Sequence, residues 1–280
     1  MTLTWPIIAI VLIGALLHAS WNVAVKSSTD KALDTALIHL VGSLLAIPLL
    51  YVVGVPPVAC WPYIGASVVI HIGYYIALAG AYKHGDMGLT YPLMRGVAPL
   101  LVALSATATV GENLSTLSWG GVVGICAGVL VLGLSRHAFD HPRAVLFALA
   151  NAVVIAIYTV IDAKGARASG NALQYVVALF VLDGWPFGLL VLWRRGAAVM
   201  PYAKARWPVA VGGAMASLGS YGIALWAMTR APMATVAALR ETSVLFAALL
   251  GVWLLREPFT ARRIIGTCTI VAGVMALRLG

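Results

Sequence analysis

Charged side chains are scarce in this sequence. Lysine, arginine, aspartate and glutamate make up 10% of the 280 residues, whereas a typical soluble domain carries about 25%. Apolar residues make up 62% of the chain, so little of it is polar enough to form a soluble domain. The composition therefore predicts an integral membrane protein that contacts the lipid bilayer.

Several motifs of enzymes and cofactor-binding proteins are also missing. The sequence has no G-x-x-x-x-G-K-[S/T] phosphate-binding loop, no H-E-x-x-H zinc motif and no G-x-S-x-G nucleophile motif. Its cysteines are odd in number and lack the spacing of metal ligands; they are Cys60, Cys126 and Cys268. We therefore expect no enzyme, no metal and no cofactor.

The net charge of +9 raises the question of nucleic-acid binding. Only Arg95 and Arg240, of the 18 basic side chains, lie inside apolar runs; the rest lie in short connections or at the ends of those runs. Anionic lipid and the membrane potential act at these positions. The charge pattern therefore predicts no nucleic-acid partner.

Long apolar runs follow one another along the whole chain. A hydrocarbon core of about 30 Å needs about 20 apolar residues per helix, and ten runs meet this requirement. They cover residues 5–25, 33–53, 58–82, 89–110, 117–134, 144–161, 172–193, 207–228, 234–255 and 264–279.

The second half of the chain repeats a pattern of the first. Arg95 precedes Glu112 by 17 residues, and Arg240 precedes Glu257 by the same distance. Each Glu is followed by two glycines seven residues apart, Gly121 and Gly128 in the first copy and Gly266 and Gly273 in the second. An odd number of spans per copy inverts the second copy in the membrane. The sequence thus predicts an all-α integral membrane protein with ten transmembrane helices, as two inverted five-helix repeats over residues 1–138 and 139–280.

Polar and aromatic side chains form stripes at helical spacing on four of the predicted spans. Examples are His18 with Asn22, His71 with Tyr75, Tyr158 with Asp162, and Ser217 with Tyr221. Since lipid tolerates such stripes poorly, we expect them to face a shared, water-accessible cavity. The predicted substrate-binding residues are His18, Trp21, Asn22, His71, Tyr74, Tyr75, Tyr91, Arg95, Tyr158, Tyr221, Arg240 and Glu241.

Some of these residues allow a second interpretation. Arg95 and Arg240 either face the cavity or extend to the membrane surface. Asp183, close to Pro186, is a candidate proton or gating site, or else a structural ion-pair partner. His18, His39 and His71 are proton relays or packing residues. Glu112 and Glu257 are interpreted as turn or packing residues that start the next helix.

The last span of each copy is rich in glycine and has no charge in its interior. Small residues allow close approach of membrane helices. We interpret spans five and ten as packing or dimerisation helices, which includes a homo-oligomer among the expected partners.

Two five-span copies, each with an apolar run, then Glu112 or Glu257, and then a glycine-rich helix, resemble the EamA repeats of the drug/metabolite transporter superfamily. The resemblance covers essentially the whole chain and includes exporters of the YddG type. It implies a ten-helix inverted-repeat transporter with a central cavity in the bacterial inner membrane. It also implies cytoplasmic termini. The loop charges predict outward termini instead, because the odd-numbered connections carry twelve Lys and Arg, whereas the even-numbered connections and the chain ends together carry four.

The cationic, acidic and aromatic candidates together suit a zwitterion with an apolar side chain. The preferred function is therefore secondary transport, with export of amino acids or similar small metabolites by alternating access. Efflux of organic cations of the quaternary ammonium type is the alternative, since aromatic faces and a carboxylate bind such ions. A membrane-embedded enzyme or an accessory subunit is the third hypothesis.

Overall fold

The computed structural model describes residues 3–85, 87–133, 141–255 and 260–280, with the side chains of all of these except 87–89, 251, 254 and 255. Throughout these ranges the regular structure is helical and no strand occurs. The helices are α1 (Trp5–Lys26), α2 (Lys31–Val53), α3 (Trp61–His84), α4 (Met87–Val110), α5 (Thr116–Gly133), α6 (Pro142–Ala168), α7 (Ala172–Arg195), α8 (Val199–Met228), α9 (Met233–Arg240), α10 (Thr242–Leu255) and α11 (Ala261–Leu279). Short 3₁₀ turns cover Val58–Cys60 and Gly196–Ala198. The predicted all-helical class is confirmed.

Eight helical stretches in the described part of the chain are long and apolar enough to cross a membrane. One of them, Ala172–Met228, contains both α7 and α8, while α11 is not among the eight. The multi-pass character that the sequence predicted is thus confirmed. Ten spans remain a prediction. The predicted end of span five, at residue 134, lies outside the described residues.

Side-chain caps fix where two of the helices begin. The Asp30 carboxylate accepts a hydrogen bond from the Leu33 backbone N–H at 3.1 Å, at the start of α2. The Asn171 side chain accepts one from the Leu173 N–H at 3.0 Å, at the start of α7. Each cap satisfies a backbone donor that has no partner within its helix. Gly170, at φ 68°, makes the turn before α7, where a left-handed backbone favours glycine.

The ninth predicted span is not one continuous helix. α9 ends at Arg240 and α10 begins at Thr242, so the predicted run 234–255 is broken at Glu241. The Glu241 N–H donates to the Ala238 carbonyl and the Val244 N–H to the Glu241 carbonyl, so both bonds span three residues instead of four. This local tightening interrupts the α-helix. Hydrophobicity alone gives no sign of it.

Helices of the first half pack mainly against helices of the second half. α1 packs on α8 and on α10, α3 and α4 pack on α6, α2 packs on α7, and α5 packs on α11. The polar stripes of α1, α3, α6 and α8 are thereby brought toward the centre of the molecule, where they surround a cavity.

The contact between α5 and α11 depends on the duplicated glycines. A Cβ atom on Gly128 would lie 2.8 Å from the Gly266 carbonyl oxygen, and one on Gly266 would lie 2.9 Å from the Gly128 carbonyl oxygen. These distances leave no room for a side chain. Of the two roles predicted for these helices, the glycines therefore serve packing within the chain.

Candidate functional site

A cavity of about 130 Å³ lies at the centre of the helix bundle. All but one of the predicted substrate-binding residues line it, and Asp183 does so as well. The lining members of the predicted set are His18, Trp21, Asn22, His71, Tyr74, Tyr75, Tyr91, Arg95, Tyr158, Tyr221 and Arg240. The structure therefore brings these side chains together, and their role in binding stays a prediction.

Glu241 is the exception. Its side chain is only 4% exposed, and its Oε2 lies 2.9 Å from Arg95 Nε. The sequence predicted that Glu241 meets the substrate, but the cavity lining does not include it. A buried carboxylate and a buried guanidinium stabilise each other when they are paired. Arg95 is thus held inside the bundle by this ion pair and does not extend to a membrane surface.

Arg240 has different surroundings from Arg95. Its guanidinium carbon lies 5.3 Å from the centre of the Tyr221 ring, and the side chain lines the cavity. No Asp or Glu within the described ranges forms an ion pair with it. Arg240 therefore presents a positive charge to the cavity that protein carboxylates in those ranges do not neutralise.

Asp183 supplies the acidic group of the cavity, and His71 lies beside it. His71 Nδ1 lies 3.6 Å from Asp183 Oδ1, and both side chains are about one-seventh exposed, at 13% and 15%. The same nitrogen lies 2.9 Å from the Ser67 carbonyl oxygen. α7 remains helical through Pro186, and at Gly184 it packs on α2, where a Cβ atom would lie 2.4 Å from the His39 carbonyl oxygen.

Aromatic rings form much of the remaining wall. His71 stacks on Tyr158 with ring centroids 4.4 Å apart, and Tyr75 stacks on Phe187 at 4.6 Å. The Trp21 indole Nε1 is buried without a hydrogen-bond partner among the described residues, although its ring lines the cavity. Aromatic rings thus supply apolar faces to the cavity wall.

Sequence reasoning placed Asp162 in a polar stripe but gave it no function. In the structure Asp162 is fully buried, and its carboxylate accepts hydrogen bonds from the hydroxyls of Tyr175, at 2.8 Å, and Tyr221. Its position one turn after Tyr158 was the signal in the sequence. His39, Phe180, Ser217 and Ser220 also line the cavity. Phe180 was overlooked because the span that forms α7 shows no polar stripe. His39, a proton relay or packing residue in the sequence analysis, was not assigned to the cavity for the same reason on α2.

Glu112 connects the two halves of the chain. Its Oε1 accepts hydrogen bonds from Arg167 at 2.7 Å and from the Met233 backbone N–H at 3.0 Å. Met233 is the first residue of α9. The interpretation that Glu112 starts the next helix is therefore wrong: it caps a helix of the other half, because a helix N-terminus attracts a carboxylate. The matching prediction for Glu257 lies outside the described residues.

No group of three or more His, Cys, Asp and Glu side chains is arranged to hold a metal ion within the described part of the chain. The candidate site is the cavity with charged and aromatic walls.

The chain is similar to several known proteins. Residues 142–279 match the EamA-like transporter family. The multidrug transporter EmrE of Escherichia coli (strain K12) is 27% identical over 81 residues, which are 29% of this chain and 73% of EmrE. The crystal structure of another protein superposes with a TM-score of 0.78 at 21% identity, over 98% of this chain and 96% of that one. This last likeness shows the fold alone.

The family match and the apolar helices agree with the composition. A bacterial inner membrane is consistent with these relatives. Over residues 142–279, just under half of its length, the chain is similar to the EamA-like transporter family, and it is a multi-pass membrane transporter and not an enzyme.

Proposed function

We propose that the protein is a secondary transporter that exports amino acids or similar small metabolites across the bacterial inner membrane. The observation that carries this proposal is the separation of charge in the cavity, with Arg240 on one wall and Asp183 on another. A zwitterion would place its carboxylate at Arg240 and its ammonium group at Asp183. Tyr75 and Tyr158 would then surround an apolar side chain. The resemblance of the sequence to YddG-type exporters supports this proposal.

The size of the cavity supports a small substrate. Its volume is about 130 Å³, whereas sites for drug-sized ligands usually measure roughly 300–1,000 Å³. In this conformation the space therefore suits a small metabolite better than a bulky drug.

The proposed architecture is a pair of inverted five-helix repeats, residues 1–138 and 139–280, that form ten spans when α9 and α10 are counted as one. The packing supports it. If the repeats are equivalent, each contact between two spans should recur between the spans five places away in the other repeat. The α1–α8 contact corresponds in this way to the α3–α6 contact, and the α2–α7 and α5–α11 contacts correspond to themselves. The reciprocal glycine contacts of α5 and α11 follow the same rule.

Alternating access would follow from rocking of the repeats against each other. Ion pairs join the two halves at both ends of the bundle. Glu112 pairs with Arg167 near the ends of α4 and α6, and Asp34 pairs with Arg206 near the starts of α2 and α8. In this mechanism the two pairs open in turn, one on each side of the membrane.

Uptake of labelled amino acids into proteoliposomes tests the proposal. We expect flux of at least one of the twenty above that of protein-free vesicles, and we expect Arg240→Gln to reduce it. The matched variant Arg230→Gln changes an exposed arginine outside the cavity and should leave the flux unchanged. The absence of flux with every amino acid would refute the proposed substrate.

Efflux of organic cations is the second candidate, and the similarity to EmrE favours it. Since Glu241 pairs with Arg95, Asp183 is the carboxylate that would attract such a cation. Under this hypothesis Asp183→Asn abolishes efflux of a quaternary ammonium compound and Arg240→Gln enhances it. Under the preferred hypothesis both variants reduce amino acid flux.

A further inference from the structure

We propose that Asp162 binds the proton that drives transport, and that Tyr221 passes the protonation state of Asp162 to a ligand in the cavity. If the protein is the transporter proposed above, this carboxylate supplies its coupling ion. The relevant geometry is a buried acid, outside the cavity lining, that is connected to the cavity by one hydroxyl group.

The groups that bind the Asp162 carboxylate are hydroxyl donors. Its Oδ1 accepts from the Tyr175 hydroxyl at 2.8 Å and its Oδ2 accepts from the Tyr221 hydroxyl. No Lys, Arg or His of the described ranges pairs with it. An ionised carboxylate inside a membrane protein is costly without a cation. A proton is therefore the species that can neutralise Asp162 in place.

The titratable groups around Asp162 come from four helices. His71 faces it from α3, Tyr158 from its own helix α6, Tyr175 and Asp183 from α7, and Tyr221 from α8. His71 itself pairs with Asp183. The charge of Asp162 thus has no partner of its own among these groups, and this distinguishes it from Asp183 and Glu241.

Protonation changes the direction of one hydrogen bond. An ionised carboxylate only accepts, so Tyr221 must donate to it and keeps its oxygen lone pairs for other donors. A hydronium ion from the aqueous compartment transfers its proton to Oδ2 and leaves a water molecule. The new O–H then donates to the Tyr221 oxygen, and the Tyr221 hydrogen turns toward the cavity.

Both consequences disfavour an ammonium group in the cavity. Protonation removes the negative charge of Asp162, and it converts Tyr221 from a potential acceptor into a donor on the cavity side. Proton and substrate therefore compete although they occupy different sites. Competition of this kind produces exchange of one for the other, which is what proton-driven export requires. By linkage, ligand binding must also release a proton.

Tyr175 and Tyr221 provide a matched pair of variants. Both hydroxyls bind Asp162, but only Tyr221 lines the cavity. Tyr221→Phe removes the hydroxyl but keeps the charge of Asp162, so it should weaken the pH dependence of transport, whereas Tyr175→Phe should leave that dependence unchanged. An unchanged pH dependence in Tyr221→Phe, or an equal weakening in Tyr175→Phe, would contradict the role given to Tyr221.

Infrared spectroscopy of the purified protein in lipid tests the proton site without any ligand. The carboxylic acid C=O absorption that appears on acidification should contain a component that is missing in Asp162→Asn and present in Asp183→Asn. Identical acid-induced spectra for the unmodified protein and Asp162→Asn would overturn the proposal. Thermal unfolding of Asp162→Asn checks that the variant is folded.

Proteoliposomes then test coupling. An imposed pH gradient should drive flux of the transported amino acid in the unmodified protein, and Asp162→Asn should lose this drive. Amino acid flux that does not depend on the pH gradient would refute proton coupling, but it would leave the proposed transport function intact. If no amino acid is transported at all, the proposed function fails, and the infrared result still decides whether Asp162 binds a proton.

Discussion

Gly121 on α5 and Gly273 on α11 pack backbone against backbone. A Cβ atom on Gly121 would lie 2.8 Å from the Gly273 carbonyl oxygen, and one on Gly273 would lie 2.9 Å from the Gly121 carbonyl oxygen. These residues belong to the duplicated pattern, so the same sequence feature occurs on both sides of one interface. Close contact of small residues is a general means of helix association in membranes.

Replacing Gly273 with alanine should therefore destabilise the protein. The added methyl group would overlap backbone atoms of α5, and overpacking of this kind typically costs about 1–3 kcal/mol. Thermal unfolding in detergent measures the effect. Gly120→Ala is the matched control, because a Cβ atom on Gly120 has no atom within 4 Å. Equal unfolding temperatures for the two variants would show that the glycine contact is not required.

Loss of the Glu112 carboxylate should be more harmful than loss of an exposed ion pair. Glu112→Ala removes the partner of Arg167 and the cap of α9, and breaking a buried pair costs about 3–5 kcal/mol. Because the Arg167 side chain is 21% exposed, we expect the lower end of that range. The comparison is Arg195→Gln, since Arg195 is 48% exposed in its pair with Asp30 and such pairs contribute about 0–1 kcal/mol. Similar losses in a denaturation experiment would count against the capping role.

Arg95 and Glu241 should behave as a structural pair. Arg95→Gln leaves a buried carboxylate without its cation, and Glu241→Gln leaves a buried cation, so each single change should destabilise by about 3–5 kcal/mol. The double variant should recover most of that loss, which a double-mutant cycle measures. Strictly additive losses would mean that the two side chains do not stabilise each other.

Arg240, in contrast, should be dispensable for stability. It pairs with no carboxylate of the described ranges and lies over the face of Tyr221, an interaction worth roughly 0.5–2 kcal/mol. We therefore expect Arg240→Gln to unfold near the temperature of the unmodified protein although it transports less substrate. A large loss of stability would identify Arg240 as a structural residue instead.

The loop charges predict the orientation of the chain. A reporter that is active only outside the cytoplasm should be active when fused after Gly280 and inactive when inserted at Gly196, in the exposed turn between α7 and α8. The opposite pattern would favour the cytoplasmic termini that the family resemblance implies.

Much of the cavity was predictable because helical periodicity is a local property. His18 and Asn22 are four residues apart, as are His71 and Tyr75, and lipid around them excludes most other orientations of these faces. The spacing could not show that Asp162 binds two tyrosines from other helices, since Tyr175 and Tyr221 lie 13 and 59 residues further along the chain. The difference between Arg95 and Arg240 was equally hidden, because their positions in the repeat correspond.

The sequence by itself determined that this is a helical membrane protein with a duplicated pattern and polar helix faces, because hydrophobic length and helical period are read from neighbouring residues. Only the tertiary structure decided which charges meet. Glu241 neutralises Arg95 while Arg240 faces the cavity, and Glu112 caps a helix of the other half, because these contacts depend on how distant helices pack and not on the order of residues.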